Sequence, residues 1–115
     1  MGYRIESDGA AIVYASDLEH GDAKLDRVLR DNAAEADLLI FDSHYTPEEY
    51  EAAKGWGHST WLEATRVSQD AGVKKLVLFH HHPSHSDLAL SRILKEACLH
   101  FENIVLAREG SQILV

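Results

Sequence analysis

The chain is short of several things, and each shortage narrows what it can be. It has one cysteine in 115 residues, Cys98, so no disulfide can form within it, and a reducing compartment such as the cytoplasm is expected. Cys98 falls in a helical pattern, where a small buried hydrophobe is the expected state. Only two prolines are present, and no Pro- or Gly-rich stretch marks a linker. No apolar run is long enough to span a membrane, no secretory leader is evident, and Glu6 stands where a myristoylation signal needs Ser or Thr. Positive charge is scarce: 11 Lys and Arg against 19 Asp and Glu give a net charge of −8. That balance disfavours nonspecific binding to a polyanion, so nucleic acid is not expected as a partner of this chain alone.

What is present reads as one α/β domain over residues 1–115. Tyr3 to Ser7 alternates as a strand, Asp8-Gly9 is a hairpin turn, and Ala10 to Ala15 is the returning strand. Leu25, Val28 and Leu29 fall on one face of a helix over Lys24 to Ala33. Asp37 to Phe41 and Lys75 to Phe79 are apolar runs of buried-strand type. Thr46-Pro47-Glu48-Glu49 starts a helix with a cap, a first-turn proline and acids near the positive end of the dipole. Ser59 or Thr60 caps the next helix, which stops at Gly72. A further helix runs from Ser86 or Asp87 to about His100. Short strands are expected at 104–107 and 112–115, around a turn at Glu109-Gly110. The pattern implies a mixed sheet with helices mainly on one face.

Polar residues collect where the apolar runs end. Asp17 follows AAIVYAS, Asp42 follows DLLIF, and His80, His81, His82 and His85 follow KKLVLF. Oxygen and imidazole donors gathered at strand ends can hold a metal ion. Asp17 can bridge two ions or can simply be a turn residue. His58, beside Ser59-Thr60 at a helix start, can pass a proton to a leaving group or can belong to the cap. Asp42 can orient a ligand histidine through its ring N–H. His20, His82 and His85 are possible ligands or supporting partners, with solvated loop residues as the alternative. His44 and His100 carry no pointer to function, and Tyr45, Tyr50, Trp56 and Trp61 fit a core more readily than a substrate platform.

Together these motifs resemble the C-terminal half of the metallo-β-lactamase-fold hydrolases, in the branch of ribonuclease Z-like and phosphodiesterase-like members. The resemblance rests on Ser16-Asp17, Asp42, Gly57-His58-Ser59-Thr60 and Leu78-Phe79-His80. It implies that Asp17 bridges two metals, His80 binds one of them, and His58 donates a proton. It further implies a divalent metal, zinc before iron or manganese, and a small phosphoester or similar substrate. The family's His-x-His-x-Asp-His signature is not in this sequence. The implied architecture is half of an αββα sandwich with an apolar inner sheet face. A homodimer or a separate N-terminal half is then the expected partner. If the chain does not hydrolyse, a self-associating or metal-binding module is the alternative.

Overall fold

The computed structural model describes residues 2–16, 19–108 and 110. Asp17 and the expected strand at 112–115 lie outside the described residues. Strand β1 (Gly2–Ser7) pairs antiparallel with β2 (Ala10–Ala15) across the Asp8-Gly9 turn. Both turn residues have positive φ, 51° and 80°, the conformation a two-residue hairpin of this twist requires. Then come α1 (Ala23–Ala33), β3 (Leu38–Asp42), α2 (Pro47–Ala53), α3 (Trp61–Ala71), β4 (Leu76–Phe79), α4 (Asp87–Ala97) and β5 (Ile104–Leu106). The sheet order is β1-β2-β3-β4-β5, with β2 to β5 parallel, so the sheet is mixed, as expected.

The local signals end the helices where the chemistry dictates. Thr46 and Glu49 close a reciprocal capping box at the start of α2. Gly72 adopts φ 70° after α3, and its N–H and that of Val73 return to the last turn. Helix α4 stops at Ala97, a few residues before His100, and Ala97 takes the buried position. Cys98 is therefore exposed, contrary to expectation, because it caps the helix on its solvent side.

One sheet face carries the core. Val13, Ala15, Leu39, Phe41, Leu76, Leu78 and Leu106 join Ala33, Trp61, Ala64, Val67, Ile93 and Ala97, so α1, α3 and α4 all pack on that face. Arg30 of α1 fixes the helix pair by reaching Glu63 at 3.3 Å and Asp70 at 2.8 Å on α3. Arg4 of β1 donates to the Asn32 and Ala34 carbonyls, placing a cation at the negative end of α1. Of the apolar stripe on α1, Leu29 packs against the core, while Leu25 and Val28 remain exposed.

The opposite sheet face is apolar and open at its β1 edge. Pairing register puts Tyr3, Tyr14, Ile40, Val77 and Val105 in one row across all five strands, and Ile5, Ile12 and Leu38 in the next. At the edge strand, Tyr3 is 55% and Ile5 59% exposed, whereas Val77 and Leu38 on the inner strands are buried. By strand alternation Asp42 points to the same side as Ile40, at the C-terminal rim.

Candidate functional site

The chemistry-bearing side chains gather at the C-terminal ends of β3 and β4, where ligands bind in parallel sheets. The organising residue is Asp42, the last residue of β3 and fully buried. Its Oδ1 accepts the backbone N–H groups of His44 and Ser59, each at 3.2 Å. Its Oδ2 lies 3.0 Å from His58 Nδ1 and 3.4 Å from His80 Nδ1. One carboxylate thus ties together three separate segments of chain.

Backbone bonds lock these segments in register. Tyr45 N–H donates to the Ser59 carbonyl and Trp61 N–H to the Tyr45 carbonyl, a short parallel bridge between Tyr45 and Thr60. Ser43 N–H reaches the Phe79 carbonyl at 2.8 Å. His80 then turns with φ 62°, a backbone state that is strained for a residue with a side chain and tolerated best at sites held from several directions.

His44, His58 and His80 form a compact trio. His44 stacks on His58 with ring centres 4.3 Å apart; the His58–His80 and His44–His80 centres are 4.7 and 5.0 Å apart. One donor atom from each lies within 4.8 Å of the others. Hydrogen bonding sets two of the tautomers. Carboxylates and carbonyls only accept, so His58 directs Nδ1–H to Asp42, and His44 donates Nδ1–H to the His80 carbonyl at 3.1 Å. His44 and His58 each keep a lone pair on Nε2, the form a metal needs. Burial pushes the His44 pKa down, against the opposing bond to the His80 carbonyl, and the neighbouring imidazoles add to the lowering.

The other histidines of the 80–85 run diverge. The His82 ring sits 4.8 Å from that of His44, but its Nδ1 accepts the Ser84 N–H, which puts the ring proton on Nε2. His81 turns toward the Ala107 backbone, and burial lowers its pKa. His85 donates Nε2–H to Glu49 at 2.8 Å. Burial alone would raise Glu49, but the Thr46 N–H and His85 outweigh it and hold its pKa below the usual range.

Behind the trio, the loop after β2 clamps the segment that presents His58. Glu19 accepts the N–H groups of Gly55 at 2.6 Å and Gly57 at 3.0 Å and the hydroxyl of Tyr50 at 2.7 Å. The Gly55 bond leads the causes that lower the Glu19 pKa. Desolvation and the bond to Glu19 raise Tyr50 to about 12. His20 Nδ1 meets Ser59 Oγ at 2.8 Å, and its ring rests on Tyr50.

The structure therefore brings Asp42, His58 and His80 together, sets His20 behind them, and carries His82 to the margin and His85 to α2. Asp17 lies outside the described residues. His44 had no sequence pointer, yet it stands at the centre of the trio. Its position two residues past Asp42 at a strand end was the available signal. Of the aromatics, Tyr45 and Trp61 are buried as expected, whereas Trp56 is exposed.

Comparisons with known proteins bear on the family and the fold. The β-lactamase superfamily domain matches residues 1–81. The chain is 36% identical over 101 residues to a ribonuclease Z of Methanosarcina acetivorans, covering 88% of this chain and 31% of that protein. It is 35% identical over 81 residues to a ribonuclease Z of Streptococcus suis, covering 70% of this chain and 26% of the relative. The metallo-β-lactamase fold protein YhfI from Bacillus subtilis superposes with a TM-score of 0.73 at 27% identity, over 94% of this chain and 41% of that one. The chain thus spans about a quarter to a third of the length of these curated relatives. No helix among the described residues is long and apolar enough to cross a membrane. Sheet topology and sequence likeness converge, and the chain belongs to the β-lactamase superfamily domain family.

Proposed function

We propose that the chain supplies one half of a metal-dependent hydrolase site for phosphodiester bonds, completed by a second β-layer laid over the open sheet face. The observation that carries the reading is the Asp42–His58 pair beside His80 at the rim of that face. His80 and Asp17 would be this chain's ligands for a divalent metal, zinc foremost. Bound there, such an ion would supply Lewis-acid polarisation and lower the pKa of water. Asp42 holds His58 by Nδ1, so Nε2 faces the rim and can carry a proton to the departing oxygen. Asp42 stabilises the imidazolium while that proton is held, and His20 and Glu19 keep the His58 segment from swinging away. The names of the relatives bring RNA into consideration as substrate, against the expectation from net charge. A small phosphoester is the simpler probe.

The test is complementation. A second chain carrying a His-x-His-x-Asp-His segment, added to this one, should produce metal-dependent hydrolysis of a chromogenic phosphodiester. A correctly associated pair with no hydrolysis overturns the proposal. The open apolar face also favours a second reading, a self-associating module in which two copies cover each other's sheets. Light scattering decides it: a dimer supports this reading, and a monomer across all concentrations removes it.

A further inference from the structure

We propose that the chain by itself holds one transition-metal ion through His44, His58 and His80, with His44 as a ligand. This site differs from the Asp17–His80 assignment above and shares only His80 with it. Three observations carry it. First, the three rings lie close to the spacing of co-ligands. At a metal–nitrogen distance of about 2 Å, imidazoles at right to tetrahedral angles around one ion have ring centres roughly 4.5–5.2 Å apart. The His58–His80 and His44–His80 separations, 4.7 and 5.0 Å, fall in that range, and the stacked His44–His58 pair is tighter at 4.3 Å.

Second, two of the tautomers are set by acceptors at Nδ1: the Asp42 carboxylate for His58 and the His80 carbonyl for His44. A carboxylate or carbonyl on the far nitrogen is the partner that ligand histidines carry in metal sites, because it fixes the ring and raises the basicity of the other nitrogen. His82, whose ring lies 4.8 Å from that of His44, is excluded because its Nδ1 lone pair is taken by Ser84.

Third, the trio is only partly buried, so an ion has a way in. One donor atom from each lies within 4.8 Å of the others, and binding would draw them to a ligand spacing of about 3.3 Å. The softness of three imidazoles selects zinc, nickel, copper or cobalt over magnesium or calcium. A His58 that ligates cannot also donate a proton, so occupancy of this site and hydrolysis through His58 exclude each other.

The experiment is titration of the untagged chain with zinc by calorimetry and with cobalt(II) by visible absorption. One equivalent per chain is expected, and His44→Gln and His58→Gln should each weaken it at least tenfold. Asp17→Asn separates the two assignments. Binding that survives Asp17→Asn but falls with His44→Gln supports the trio. Binding insensitive to His44→Gln, or absent from the wild-type chain, overturns it without touching the complementation result. Imidazole 15N resonances of the wild-type protein give a reading independent of variant folding. Those of His44, His58 and His80 should shift together on zinc addition, and an unmoved His44 overturns the proposal.

Discussion

Replacing Asp42 by Asn tests the tautomer logic on which the whole site stands. Asp42 is fully buried and spends Oδ1 on two backbone N–H groups and Oδ2 on His58. In Asp42→Asn the amide carbonyl must stay toward His44 N–H and Ser59 N–H, since an NH2 there would face two donors. The NH2 then faces His58 Nδ1, which can only accept from it, so the ring proton moves to Nε2 and the outward lone pair disappears. Stability should change by no more than about 1.5 kcal/mol, because the backbone acceptor survives. Zinc affinity of the chain should fall about 10- to 100-fold, the usual loss when such a carboxylate partner is removed. Asp42→Ala is the contrast: two buried N–H groups lose their acceptor at about 1–3 kcal/mol each, and the melting temperature should fall on the order of 10 °C. The assay is 15N imidazole spectroscopy with zinc calorimetry. A His58 that keeps its proton on Nδ1 in Asp42→Asn, with affinity unchanged, refutes the reasoning.

Other consequences follow from single contacts. Glu19 has a lowered pKa in the fold, so its stabilisation is full above its ordinary value of 4.5 and is lost as pH falls through the lower folded value; Glu19→Gln should flatten that acid limb of stability in pH-dependent melts. Thr46→Ala removes the side-chain half of the α2 capping box and should cost about 1 kcal/mol in denaturant titration. Gly72→Ala meets no steric obstacle but must hold φ 70°, so a loss of about 1–2 kcal/mol is expected by the same assay. Paired Tyr3→Lys and Ile5→Lys changes on the open face should abolish any self-association seen by light scattering while leaving the far-UV circular dichroism intact.

The sequence by itself determined most of the elements and several of their ends. Alternation and the Asp8-Gly9 turn set the β1–β2 hairpin, and the cap at Thr46 and the stop at Gly72 bounded helices, because these are local effects of backbone conformation and hydrogen bonding within a few residues. It also marked Asp42, His58 and His80, since polar residues at the ends of apolar runs are legible without a fold. Only the tertiary structure decided which histidines meet. His44 and His58 are 14 residues apart in the sequence, and they stack because the Tyr45–Thr60 bridge lays their segments side by side. His81 and His85 adjoin His80 in the sequence but leave the cluster, because the positive φ at His80 and the Glu49 contact redirect the chain. The exposure of Cys98 and the half-used apolar stripe of α1 were decided the same way. Periodicity tells which residues share a face, while packing between distant segments tells which faces are covered.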